Sequence, residues 1–92
     1  MGATNIWSKT ITDDTLTISG TQNVVRVSIL ARQGPVNLLG TATFNGVASD
    51  TVTFATGQGV TLTASSTANP IDGITIDASA GGAIADIVLS YQ

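Results

Sequence analysis

The side chains that carry most enzyme chemistry are scarce in this chain of 92 residues. His, Cys and Glu are absent, and the charged side chains comprise six aspartates, two arginines and one lysine. Without His the chain lacks the commonest general base and transition-metal ligand, and without Cys it has no thiolate nucleophile and no disulfide. No Gly-x-Ser-x-Gly motif is available to expose a serine nucleophile. We therefore expect that the protein is not an enzyme.

The aspartates are the remaining candidates for a catalytic or metal site. Asp13 and Asp14 are adjacent at a strand break, where extended backbone would point them to opposite faces, so a capping or turn role is favoured. Asp72 and Asp77, together with Asn69, offer hard oxygen ligands that Ca²⁺ accepts. Their spacing matches no calcium-loop pattern. We predict no cofactor and no metal, with Ca²⁺ at these three residues as the open alternative.

The four aromatic residues divide between core and surface. Phe44 and Phe54 fall at positions predicted to face inward, which indicates a core role. Trp7 is assigned out of phase with Ile11 near the start of the chain. This placement favours the core or a subunit interface, where Trp and Tyr are enriched. A sugar-stacking platform built on Trp7 or Tyr91 is the alternative.

The elements that must position these residues are strands. Thr, Val and Ile are abundant, and these residues favour pleated structure. Apolar residues alternate with polar ones between Gly, Asn, Asp and Pro punctuation, which predicts strands at 5–12, 15–19, 24–32, 36–44, 47–55, 60–64, 71–77 and 83–91. Asn45-Gly46 predicts a two-residue hairpin turn. The fold class is therefore all-β: about eight short strands in a two-sheet antiparallel sandwich, jelly-roll-like, as one domain over 1–92, with an immunoglobulin-like order as the alternative.

The predicted strand 24–32 is apolar on both faces. Val25, Val27 and Ile29 share one face, and the opposite face carries Val24 and Leu30 beside Arg26. A strand that is buried on both faces has this pattern, so in a two-layer sandwich a neighbouring chain must cover the second face. Arg26 and Arg32 would then limit uncontrolled pairing or bind aspartates of an adjacent subunit. The predicted oligomer interface comprises Trp7, Val24, Arg26, Leu30 and Tyr91.

The charge content indicates which partners to expect. The net charge of −3 provides no basic surface for nucleic acid or for an anionic membrane, so we expect neither partner. Only 10% of the residues are charged, against about 25% in typical domains. This deficit predicts a homo-oligomer, although a neutral Ser/Thr-rich surface would also keep a monomer in solution. We expect no signal peptide and no membrane-spanning segment, because no apolar run of suitable length and flanking charge occurs.

Four segments resemble the small β-sandwich accessory proteins of tailed bacteriophages, which serve as head-fibre, decoration or tail-associated subunits. They are the Thr/Gly/Ala-rich segments 41–46, 51–54, 57–63 and 71–77. The resemblance implies a non-enzymatic virion protein that assembles in the host cytoplasm as a symmetric oligomer, with a trimer favoured, and that contacts other virion proteins. It supplies no catalytic residues. A carbohydrate-binding sandwich, with a glycan as partner, is the alternative function.

Overall fold

The computed structural model describes residues 3–92. Within this range the chain forms strands and one short 3-10 turn at Gly20–Gln22, with no α-helix. The strands are β1 (Asn5–Thr12), β2 (Thr15–Ile18), β3 (Val24–Gln33), β4 (Val36–Gly40), β5 (Thr43–Phe44), β6 (Val47–Ala48), β7 (Val52–Phe54), β8 (Gly59–Thr63), β9 (Ile74–Asp77) and β10 (Ile84–Tyr91). The all-β prediction is confirmed.

Two four-stranded antiparallel sheets make the sandwich. Sheet A has the order β1-β10-β3-β8, sheet B has the order β2-β9-β4-β7, and β5 and β6 form a separate two-stranded ribbon. The pairs are nested, because β4 pairs with β7, β3 with β8, β2 with β9 and β1 with β10. The chain thus runs out through β1–β4 and returns through β7–β10, like one long hairpin rolled into a sandwich. This is jelly-roll topology, as the strand pattern predicted.

The core lies between the inner faces of the two sheets. Its largest fully buried side chains are aliphatic residues from both sheets: Ile18, Ile76, Ile87, Val27 and Val36. Burying each such side chain stabilises the fold by roughly 1.5–3 kcal/mol. Among residues 3–92 no polar or charged residue is fully buried. The core is therefore a thin aliphatic layer, and the polar side chains lie outside it.

A β-bulge changes the predicted faces of β3. Arg26 pairs with Ser90, but the next pair joins Val24 to Tyr91, so Val25 is the extra residue. A bulge of this kind inserts one unpaired residue, so the alternation between inward and outward side chains shifts by one position beyond it. Val24 is consequently buried in the chain's own core at 2% exposure, so its predicted placement on the outer face with Leu30 is wrong, while its role at an interface stays a prediction.

The predicted strands 36–44 and 47–55 are each interrupted. β4 ends at Gly40, where the next backbone N–H, that of Thr41, donates to Gly73 O at 2.7 Å. Phe44 therefore lies on the separate ribbon β5–β6 and is 80% exposed, so its predicted core role is wrong. The Asn45-Gly46 turn is confirmed, with φ of 52° and 78°, as a two-residue type I′ hairpin requires.

The close approach of β8 to β3 gives a test of the fold. A Cβ added to Gly59 would collide with the backbone carbonyl oxygen of Ile29, whereas a Cβ added to Gly81 would meet nothing within 4 Å. We expect Gly59→Ala to lower the free energy of unfolding by about 1–3 kcal/mol, because the two backbones must separate. Gly81→Ala, the matched control, should leave it unchanged or raise it slightly. Urea unfolding followed by Trp fluorescence measures both, and equal stability of the two variants would contradict the observed β3–β8 packing.

Candidate functional site

An aromatic cleft opens between the two sheets at the edge formed by β1 and β2. Its volume is about 440 Å³, and it is lined by Trp7, Leu16, Thr17, Ile18, Gln22, Val24, Leu89 and Tyr91. Trp7 pairs with Leu89, and Asn5 pairs with Tyr91, so Trp7 and Tyr91 are diagonal neighbours on one face of sheet A. The structure therefore brings together the two aromatic residues that the sequence analysis proposed separately.

The position of Trp7 corrects its predicted phase. Trp7 and Ile11 are four residues apart on β1, so they share the inner face of sheet A. Ile11 is buried, whereas Trp7 is only half-buried and packs against the core from the open edge. Trp7 thus combines a core contact with a surface available to a partner.

The cleft is lined mainly by aromatic and aliphatic side chains. Of the polar groups near it, Gln22 Oε1 accepts a hydrogen bond from the backbone N–H of Ser19 at 2.9 Å, and the Thr17 hydroxyl is bonded to that of Thr75, 3.2 Å away on the outer face of sheet B. Sites that bind a polar ligand such as a sugar need convergent polar groups that fix its orientation. The cleft is instead suited to an apolar or aromatic group.

A second surface, which we name the apolar stripe, crosses the outer face of sheet A. It consists of Ile6, Val88 and Leu30, which are 67%, 47% and 45% exposed. Val88 pairs with Ser8, two residues from Ile6, and with Ser28, two residues from Leu30. The three side chains are thus successive diagonal neighbours across β1, β10 and β3. Leu30 lies on the outer face, as its alternation predicted.

The charged groups beside the stripe are paired within the chain at one end. Arg32 donates to both carboxylate oxygens of Asp86, at 2.8 and 2.6 Å, and the Thr10 hydroxyl donates to Asp86 at 2.7 Å. The Arg32 guanidinium, followed by the Thr10 hydroxyl, lowers the pKa of Asp86 below its usual value. Arg32 therefore has an aspartate partner within its own chain, and it does not need the aspartate of another subunit that the sequence analysis offered as its partner. Arg26 is exposed on the same outer face, opposite Ser90.

The ribbon β5–β6 forms a third surface, the hairpin knob, which we define as residues 41–50. Every residue of this segment is exposed, and Phe44 and Val47 are paired neighbours at 80% and 68% exposure. Ser49 Oγ donates to Ala42 O at 3.1 Å and closes the base of the knob. Sequence reasoning missed this surface because it placed Phe44 in a long core strand. The feature of the sequence that could have indicated this surface is the Asn45-Gly46 turn, which directly follows Phe44.

The aspartates of the calcium alternative lie apart. Asp72 and Asp77 flank the two ends of β9, where Asp72 accepts from the Gly20 N–H and Asp77 accepts from the Ser79 N–H, both at 2.8 Å. Across residues 3–92 no group of three acidic side chains is placed to hold a metal ion. Asp13 adopts φ of 53°, and Asp14 accepts from the next backbone N–H, so both serve the turn between β1 and β2.

The candidate surfaces rest on the geometry of this chain alone. Comparison with protein-family models, with curated protein sequences and with solved structures finds no match. In the part of the chain that the structure describes, no helix has the length and apolar character needed to cross a membrane.

The Arg32–Asp86 pair predicts a pH-dependent contribution to stability. Because the pKa of Asp86 is lowered in the folded state, the ionised carboxylate stabilises the fold near neutral pH, and this contribution disappears as the pH falls below the ordinary aspartate range. For an exposed bidentate pair, we expect Asp86→Asn to cost about 0.5–1 kcal/mol at pH 7 and close to nothing at pH 2.

Urea unfolding at the two pH values measures this difference. Asp13→Asn is the matched control, because Asn accepts the same positive φ and Asp13 lies at the turn rather than in the ion pair. A loss of stability by Asp86→Asn that is equal at both pH values would contradict the electrostatic role.

Proposed function

We propose that this chain is a non-enzymatic structural subunit that works by assembling with further copies of itself. Proteins of this kind include the virion accessory subunits of tailed bacteriophages, which the sequence resembles. The observation that carries the proposal is the exposed apolar stripe of Ile6, Val88 and Leu30 on a surface with few charges. Exposed apolar patches on small proteins mark contact surfaces, because water contact with them is unfavourable.

The edge strands of both sheets disfavour the addition of a strand from another chain. Association through the face of a sheet is therefore favoured. The edge strands of sheet B are short: β2 has four residues and β7 has three. On the longer edge strand β1, Lys9 shares the core-facing side with Trp7 and Ile11. Short edges and inward-pointing lysines oppose edge-to-edge pairing, since a new strand would have to bury the charge. The sheet-A face is therefore the favoured contact, and two of the charged groups beside the stripe, Arg32 and Asp86, offset each other as an ion pair.

The outer face of sheet A also has the dimensions of a contact surface. Its strands are about 4.8 Å apart and rise about 3.3 Å per residue, and β1 and β10 each contain eight residues. Beside the stripe, the hydroxyl groups of Ser28 and Thr61 are hydrogen bonded to one another at 3.0 Å. Packing a neighbour against this face would therefore bury the apolar stripe without leaving those two hydroxyl groups buried and unpaired.

Replacing stripe residues tests the proposed function. We expect the double variant Leu30→Thr/Val88→Thr to weaken self-association by about tenfold or more, because two apolar contacts are lost while the β-branched replacements keep the strands. Leu39→Thr is the matched control, since Leu39 pairs with Thr75 on the outer face of the opposite sheet. Sedimentation equilibrium over a concentration series gives the association constants of all three proteins.

Two results would count against the proposal. One is an association constant that the stripe variant does not change, with the unfolding midpoints confirming that each variant is folded. The other is a monomeric unmodified chain at every concentration tested. A place on a phage particle is tested separately by mass spectrometry of purified virions, in which the chain should occur at the fixed copy number of a structural component.

A further inference from the structure

The hairpin knob and the aromatic cleft are complementary features of one molecule. The knob presents Phe44 at 80% exposure, and the cleft presents Trp7 and Tyr91 around a volume of about 440 Å³. We propose that the knob of one copy inserts Phe44 into the cleft of a neighbouring copy. This inference rests on the proposed self-assembly and assigns it a specific contact.

The chemistry of the cleft fits an aromatic ring better than a polar ligand. Most of the side chains that line the cleft are aromatic or aliphatic, and Gln22 Oε1 already accepts a hydrogen bond within the chain, so most of the lining offers a polar guest no hydrogen-bond partner. A Phe side chain needs none, and it removes roughly 150–250 Å² of apolar surface from water when it is buried. Trp7 and Tyr91 can meet the ring in stacked or edge-to-face geometry, which aromatic pairs prefer.

The knob is held in a defined shape, which lowers the entropy cost of insertion. The backbone N–H of Thr41 donates to Gly73 O at 2.7 Å, and Ser49 Oγ closes the base against Ala42 O at 3.1 Å. The type I′ turn at Asn45-Gly46 then places Phe44 beside Val47 on one side of the ribbon. The exposed pair is thus presented by a short, braced hairpin.

The strand order places knob and cleft at opposite edges of the same end. Ile18, which lines the cleft, pairs with Ile74, and Ile74 pairs with Gly40, the last residue before the knob. In sheet B, β9 lies between β2, which carries Ile18, and β4, which ends at Gly40. At about 4.8 Å per strand these two spacings are about 10 Å. A copy therefore offers its knob to one neighbour and its cleft to another, which is a heterologous contact that a closed ring satisfies.

Charge at the two surfaces is also complementary. Asp50 is the only charged residue between positions 33 and 71, and it belongs to the knob. Lys9 lies two residues from Trp7 on the same side of β1, about 7 Å along the strand. Insertion of the knob brings an acidic group towards a basic one, and this attraction orients the contact at its rim.

The size of the contact favours a ring over an isolated pair. One Phe and its immediate neighbours bury less than the roughly 800 Å² per partner of a stable protein interface. In a ring each copy uses both its knob and its cleft. Each chain then buries about twice the area that it would bury in a pair joined by one such contact. The trimer expected from the resemblance is one such ring.

The absence of cysteine from the chain allows a site-specific test. We would mix a Val47→Cys protein with a differently tagged protein that carries Gln22→Cys, an exposed residue lining the cleft, under mild oxidation and measure the rate of the mixed disulfide. The matched control pairs Val47→Cys with Thr12→Cys, which is exposed on β1 at the far end of the strand. We expect the first pair to react about tenfold faster, because the contact raises the effective concentration of the two thiols.

A second variant separates the contact from folding. Because Phe44 is exposed, Phe44→Ser added to the Val47→Cys protein should leave the unfolding midpoint unchanged and reduce the cross-linking rate to the control level. Equal rates for the Gln22 and Thr12 pairs, or a rate insensitive to Phe44→Ser, would overturn the proposal. Binding of soluble oligosaccharides that changes Trp7 fluorescence, without cross-linking, would overturn it in favour of a glycan site.

The outcomes distinguish this contact from the proposed function. Self-association that depends on the apolar stripe but gives no preferred Val47–Gln22 cross-link rejects the knob-in-cleft contact and retains the structural role. A chain that neither associates nor cross-links rejects both.

Discussion

Each strand of this sandwich must bury one face, and the nested antiparallel pairing of the two halves of the chain is what makes this possible. β1–β4 pair in order with β10, β9, β8 and β7, so both sheets draw strands from both halves. Neither half of the chain can form a complete sheet alone. The inner faces of the two sheets therefore pack together only when both halves have paired. The aliphatic layer that includes Val27, Val36 and Ile76 is then the main source of stability, since the sandwich is too thin for a second core.

The same alternation explains the surface. Where apolar residues face inward, many of the intervening positions carry hydroxyl side chains, and pairs such as Thr17–Thr75 and Ser28–Thr61 hydrogen bond across strands. This surface is hydrated without being charged. Apolar residues that depart from the alternation rule are therefore conspicuous, and they occur in the apolar stripe and in the hairpin knob. The aromatic cleft arises differently, because it lies at the edge of the sandwich where β1 and β2 are the outermost strands of the two sheets. The proposed assembly uses these places.

The fold class, the strand count and the Asn45-Gly46 hairpin could be predicted from sequence because period-two patterning and turn chemistry are local signals. Three particulars could not. Val24 turns inward because of a bulge whose cause lies in the pairing with Tyr91, far away in the chain. Phe44 is exposed because β4 ends at a contact between Thr41 and Gly73. The cleft joins residues from the two ends of the chain, and only the nested topology brings Trp7 beside Tyr91. The face on which Trp7 lies, in contrast, was predictable, because strict alternation along β1 places residues four positions apart, such as Trp7 and Ile11, on the same face.

The central claim is that this chain assembles with itself, and the native mass of the unmodified protein tests it most directly. Light scattering behind a sizing column, over a hundredfold range of protein concentration, gives that mass without any substitution. The account predicts a closed oligomer, with a trimer favoured, whose mass reaches a plateau as the concentration rises. A mass equal to that of one chain across the whole range would contradict it.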